Sequence, residues 1–220
     1  IQQVKHETNP YLIIDDYYSP DVLEGVWKEL DFYCHTELQN TNQSPVALNN
    51  GVKQGDMLRI PMDHIYTPQG GFKSLIFGGL DIIRQDVFHK NLDEVFAQVP
   101  YSWYNWYNIT NFSNTLISYY EDGHYYKPHF DTSYFTILIW LYKEPKNFTG
   151  GDFHIYHKLN QEEPISTVEV KNNRMIIFPS FYTHGVDELK VIDKNRKDKW
   201  GRFAITHFLT YKEELGFNGN

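Results

Sequence analysis

Tyr120-Glu121-Asp122-Gly123-His124-Tyr125-Tyr126-Lys127-Pro128-His129-Phe130-Asp131 heads a long series of strand-like segments, and its last three residues decide how the chain is read. On an extended chain successive side chains point to opposite faces, so His129 and Asp131 share one face while Phe130 turns away. An imidazole and a carboxylate held side by side can grip one divalent ion, and they call for a third ligand. His154 and His157, three apart in Asp152-Phe153-His154-Ile155-Tyr156-His157, face opposite ways on a strand. Arg174-Met175-Ile176-Ile177-Phe178-Pro179-Ser180-Phe181-Tyr182-Thr183-His184-Gly185-Val186 reads as an apolar strand, a Pro-Ser turn and a short element carrying His184, the best remaining candidate. Two imidazoles and one carboxylate with one side of the metal open make the facial triad of non-haem Fe(II) oxygenases. Zinc hydrolases also use two His and a carboxylate, so the ligand set leaves both chemistries open.

Further on, Trp200-Gly201-Arg202-Phe203-Ala204-Ile205-Thr206-His207-Phe208-Leu209-Thr210-Tyr211 alternates as a strand does. Arg202, Ala204 and Thr206 fall on one face, and Phe203, Ile205 and His207 on the other. An arginine among small inward residues suggests a buried anion, because its planar fork suits a carboxylate and burying it unpaired is costly.

At this point the chain resembles the Fe(II)- and 2-oxoglutarate-dependent dioxygenases, and among them the prolyl 4-hydroxylase-like branch, over roughly residues 114 to 211. Tyr120, Gly123, Tyr126, His129 and Asp131 match the pattern Tyr-x-x-Gly-x-x-Tyr-x-x-His-x-Asp without a gap. With 10 His and 15 Asp in 220 residues, chance alone supplies about 0.7 His-x-Asp pairs, so the Tyr, Gly, Tyr framing carries the match. Gly150-Gly151, Pro179 before His184, and Arg202 to Thr206 follow in the family's order. The basic residue stands further from His184 than in many prolyl hydroxylases, and the polar insert from Val191 to Lys199 accounts for this as a longer hairpin loop.

The resemblance implies Fe(II) held by His129, Asp131 and His184, with 2-oxoglutarate on the metal and its far carboxylate on Arg202, helped by Tyr120, Thr206 and Leu138. It implies O2 as oxidant, ascorbate as a possible reductant, and hydroxylation of an unactivated C–H bond, with peptidyl proline as the favoured substrate. The intact Asp131 argues against halogenation, since related halogenases lack that carboxylate. Tyr126 and Trp140 are the expected substrate contacts. A free amino acid, a small metabolite or a nucleobase are the alternative substrates. A metal-dependent hydrolase and a non-catalytic cupin-like binding module are the remote alternatives.

Period changes along the chain set the expected architecture. Ser19-Pro20-Asp21 starts a helix, and Val22, Leu23, Val26, Trp27 and Leu30 form its stripe over 20–31. A second helix is expected within 72–98, where Leu80, Ile83, Val87, Leu92, Val95 and Phe96 repeat until Pro100. Residues 39–71 show little periodicity and are expected to be a lid or binding loop. From Pro100 to Tyr211 the pattern is strand-like, with about eight short strands suggesting a jelly roll. The fold class is therefore mainly β (α+β): a double-stranded β-helix at 101–212, with Thr136, Leu138 and Trp140 lining its inside and helical support and lid at 1–100. One domain is expected over 1–220.

Composition agrees with a globular enzyme. Aromatic residues make up 17% and charged residues 22% of the chain, which excludes a disordered class. The net charge of −8 weighs against nucleic acid and anionic membranes as partners and leaves a peptide or small molecule. No apolar run approaches the ~20 residues that span a bilayer. Cys34 stands alone, which removes disulfides and thiolate zinc sites and favours a reducing cytoplasm. Asn42, Asn108, Asn111 and Asn147 head Asn-x-Ser/Thr sequons that read as accidental in so Asn-rich a chain.

Overall fold

The computed structural model describes residues 1–34, 39–40, 48–49, 52–62, 74–78, 86–97, 99, 102–196 and 198–215. Its strands in chain order are β1 (Gln2–Val4), β2 (Tyr11–Ile14), β3 (Gln39–Asn40), β4 (Leu48–Asn49), β5 (Val52–Lys53), β6 (Gly55–Asp56), β7 (Leu58–Pro61), β8 (Phe112–Tyr120), β9 (Tyr125–His129), β10 (Phe135–Leu141), β11 (Phe148–Thr149), β12 (Phe153–Tyr156), β13 (Ser166–Val168), β14 (Arg174–Pro179), β15 (Thr183–Val186), β16 (Lys190–Val191) and β17 (Arg202–Thr210). The helices are α1 (Pro20–Cys34), α2 (Leu75–Gly78) and α3 (Asp86–Phe96).

Two antiparallel sheets form the double-stranded β-helix. The larger has the order β1-β2-β14-β10-β17-β8-β7-β3, the smaller β13-β12-β15-β9-β6. The strands β10 (Phe-Thr-Ile-Leu-Ile-Trp-Leu) and β14 (Arg-Met-Ile-Ile-Phe-Pro) are almost wholly buried. Such near-continuous apolar runs occur where both faces of a sheet are covered. One face looks into the space between the sheets; the other receives helices, with Trp27 of α1 edge-on to Phe203 and Phe96 of α3 against Phe135. Ile137, Ile139, Ile177 and Ile205 are fully buried, and each contributes about 1.5–3 kcal/mol through the apolar surface it removes from water.

The helix α1 begins as its sequence predicts. Ser19 accepts from the amide of Leu23 at 2.8 Å, and Pro20 occupies the first helical position, where a missing N–H costs nothing. It runs three residues past the expected end, to Cys34.

The structure departs from expectation in two places. Residues Ser102–Ile109 form a 3-10 helix where a strand was expected. Tyr104 and Tyr107 there are buried, against Phe96 and Phe135 respectively, so aromatic packing on α3 outweighs their strand propensity. Within 72–98, where the second helix was expected, the described residues include α2 and α3, and Leu80 and Ile83 lie outside the described residues. The N-terminal hundred residues are not only helical support: β1, β2, β3 and β7 join the large sheet and β6 joins the small one. Gln54 to Met62, expected to lie in the aperiodic loop, thus builds both walls of the barrel, whereas most of the expected lid at 39–71 lies outside the described residues.

Candidate metal centre and its pocket

The small sheet brings two histidines together directly. His184 of β15 pairs in register with His129 of β9, and the pairing then shifts at a bulge before Val186. Gly185 permits this, since a Cβ there would meet the carbonyl oxygen of Tyr126 at 3.0 Å and the nitrogen of Pro128 at 3.2 Å. Asp131 follows β9 at once, tied by its amide to the Ser180 carbonyl at 2.9 Å. The Nε2 atoms of His129 and His184 lie 3.8 Å and 3.5 Å from the Asp131 carboxylate oxygens, and one ligand atom from each of the three residues falls within 4.8 Å of the others.

The surroundings prepare these groups for a cation. Each ring donates from Nδ1 to a backbone carbonyl, His129 to Lys127 and His184 to Tyr182, both at 2.8 Å. That fixes the tautomer and leaves the Nε2 lone pairs facing Asp131. Burial, and the neighbouring His184, push the His129 imidazole down to about 3, so it is a neutral donor at physiological pH. Thr136 donates to Asp131 Oδ2 at 2.9 Å and is itself within 2.8 Å of the Ser180 hydroxyl. The ring of Tyr126 stacks on His129 with centroids 3.7 Å apart, and Phe153 and Phe178 enclose His184.

The large sheet supplies a candidate anion site. Arg202, 1% exposed, lies with Cζ 4.2 Å over the Tyr120 ring, its register partner across β17 and β8. Its Nη1 donates to the Gly151 carbonyl at 2.8 Å, and its buried Nε has no partner. Gly150 and Gly151, both at positive φ (65° and 72°), shape the turn that delivers this carbonyl. Among the described residues no carboxylate ion-pairs with Arg202; Asp187 and Asp152 act only through space, and burial pulls its pKa down. Burial likewise raises the Tyr120 phenol to about 12, so it remains a hydroxyl. Gly201 allows β17 to come this close, because a Cβ there would sit 2.0 Å from the Tyr120 carbonyl oxygen.

One cavity of about 500 Å³ joins the two halves and is lined by His129, Asp131, His184, Tyr120, Arg202, Thr206, Leu138, Tyr126 and Trp140. All nine residues singled out in the sequence therefore face the same space. His207 lies on the opposite face of β17, bound to Thr115 at 2.9 Å, and His154 turns outward to Thr167 and Asp187. Sequence reasoning did not single out Arg59 and Met57, which also line the cavity from the N-terminal half.

A dicarboxylate cosubstrate on a metal fits this arrangement. Three neutral or anionic donors converge at one end, and a buried guanidinium without a counter-ion waits at the other. The donor set of two imidazoles and a carboxylate is that of non-haem iron, with one side left to exogenous ligands.

A family model described as the 2OG-Fe(II) oxygenase superfamily matches residues 115–210. Among solved structures, a prolyl-4-hydroxylase from Pseudomonas putida superposes with a TM-score of 0.56 at 13% identity, over 92% of each chain. An oxidoreductase of the 2OG-Fe(II) oxygenase family from Burkholderia pseudomallei gives 0.54 at 11% identity, over 91% of this chain and 85% of that one. At such identities these two likenesses speak to fold. No curated protein sequence matches the chain.

Proposed function

We propose that this chain, whose residues 115–210 match a model of the 2OG-Fe(II) oxygenase superfamily, is a dioxygenase using Fe(II), 2-oxoglutarate and O2 that hydroxylates an unactivated aliphatic C–H bond, of peptidyl proline in the first instance. The observation that carries this reading is the pairing, in one cavity, of a His, Asp, His cluster with a buried arginine that lacks a counter-ion. His129, Asp131 and His184 would hold the iron. Arg202 would take the far carboxylate of 2-oxoglutarate, with Tyr120, Thr206 and Leu138 bounding its chain. When bound, iron and 2-oxoglutarate supply oxidative decarboxylation to succinate and CO2 coupled to insertion of one oxygen atom into substrate.

The chain's own residues do the rest. Lys127 and Tyr182 carbonyls orient the imidazoles, and Thr136 fixes the carboxylate rotamer. The aromatic side chains of Tyr126, Phe153 and Trp140 form part of the cavity wall beside the cluster. The described residues contain no helix long and apolar enough to cross a membrane. Both sheets draw strands from the two halves of the chain, which supports a single catalytic unit, and the lone Cys34 supports a cytoplasmic setting.

The test is anaerobic loading with Fe(II), then 2-oxoglutarate, ascorbate and air, with succinate as readout. Succinate formed with Fe(II) and lost when the metal is withheld or replaced by Zn(II) supports the reading. Hydrolytic activity that needs neither O2 nor 2-oxoglutarate refutes it. Prolyl peptides gaining about 16 Da, one oxygen atom, identify the proposed substrate; a gain on a free amino acid instead moves the assignment to that class.

In the same assay Thr136→Val is expected to weaken Fe(II) binding about 10- to 100-fold, the range for loss of an outer partner of a metal ligand. Fe(II) titration measures it, and an unchanged midpoint would free Asp131 from dependence on that hydroxyl.

A further inference from the structure

The cavity contains a second arginine, and its surroundings set it apart. Arg174 is buried against the Asp15 carboxylate and the Glu169 carbonyl, and Arg202 is bound to the Gly151 carbonyl. Arg59 lines the cavity half-buried, yet no hydrogen bond or ion pair reaches its guanidinium from any described residue. Burial lowers its pKa. A guanidinium drawn into a largely apolar wall without a counter-ion is costly, and it is stabilised only when an anion arrives.

Its position excludes the duty already given to Arg202. Arg59 pairs with Ser118 of β8, which pairs with Ala204 of β17. It therefore sits two strands and one side-chain repeat away from Arg202, about 12 Å between Cα atoms by ordinary sheet spacing. Tyr126, which lines the same cavity, stacks on His129. Arg59 thus enters the cavity of the metal cluster from β7, two strands away from the one that carries the buried anchor. It also lies outside residues 115–210, the part matched by the family model.

We propose that Arg59 is the anchor for a carboxylate on the prime substrate, so that the enzyme hydroxylates a carbon near a carboxylate and rejects the same molecule when that group is masked. The proposal rests on the oxygenase reading above. A free amino or carboxylic acid and a peptide whose terminus or side chain ends in a carboxylate share this chemistry. The anion docks at Arg59, the apolar rim of Met57, Leu116 and Phe130 receives the carbon skeleton, and the bond to be hydroxylated turns toward His129 and Asp131.

The experiment compares the free L-amino acids, their primary amides, and prolyl peptides ending in a carboxylate or an amide, as stimulants of succinate formation by the Fe(II)-loaded full chain. Carboxylate compounds are expected to stimulate and to gain oxygen, and their amides are not. Stimulation by free acids identifies a small-molecule substrate, and stimulation confined to peptide acids identifies a peptide. Arg59→Gln is expected to raise KM for the active acid about 10- to 100-fold, the value of a charge-assisted pair. KM for 2-oxoglutarate stays as in the parent. Arg59→Lys, which keeps charge without the fork, recovers part of the loss and shows that the fold survives.

Equal use of acid and amide, a panel in which no carboxylate compound stimulates, or an Arg59→Gln effect on KM for 2-oxoglutarate overturns the proposal while leaving the oxygenase reading intact. Absence of succinate from the Fe(II)-loaded parent under every condition removes that reading itself.

Discussion

Asp131→Ala is expected to leave a folded protein that no longer retains iron and forms no succinate, a fall of at least about 1000-fold in turnover. Asp131 is the only anion in the cluster, and its two oxygens face one imidazole each at 3.8 Å and 3.5 Å. Without it, two neutral rings remain, and a dication bound by neutral donors loses both a ligand and the charge that offsets its dehydration. The side chain lies beyond the end of β9 and not in the core, so the melting temperature should hold. Metal content after anaerobic loading and succinate release measure the effect together. Retention of stoichiometric iron by Asp131→Ala would put the metal elsewhere.

Arg202→Gln is expected to raise KM for 2-oxoglutarate about 30- to 3000-fold, with a smaller change in kcat. Truncating one partner of a buried charge pair costs about 2–5 kcal/mol, and each 1.4 kcal/mol is about tenfold. In the proposed function that partner is the cosubstrate, and no carboxylate of the described residues ion-pairs with the guanidinium. The same reasoning fixes the sign of a second readout. Without cosubstrate, Arg202 is a buried cation short of a counter-ion, so Arg202→Gln should melt no lower than the parent, whereas added 2-oxoglutarate should stabilise only the parent. A KM unchanged by the substitution would detach Arg202 from cosubstrate binding.

The metal cluster is legible in the sequence because its geometry is local twice over. The two-residue spacing of His129 and Asp131 fixes a shared direction, and the Pro-Ser turn before His184 marks a new strand whose register then aligns with β9. Arg202 is legible through strict alternation in β17, where a one-residue slip would expose the buried set. The 3-10 helix at Ser102–Ile109 is not, because Tyr104 and Tyr107 belong to residue types that favour strands, and only their packing on Phe96 and Phe135 decides otherwise. The strands β6 and β7 escape notice for another reason: with two and four residues they are too short for a period to show. Arg59 is hidden with them, since what gives it a place in the cavity is pairing with Ser118, far along the chain.

The division of labour between the sheets has a metric outcome. The three donor side chains belong to or adjoin the five-stranded sheet, and Arg202 with Tyr120 belongs to the eight-stranded one, so the packing distance between two rigid walls acts as a calliper. Keto acids one carbon shorter or longer than 2-oxoglutarate would leave one jaw ungripped, and cosubstrate choice would be dictated by barrel thickness, independently of which prime substrate the other flank admits.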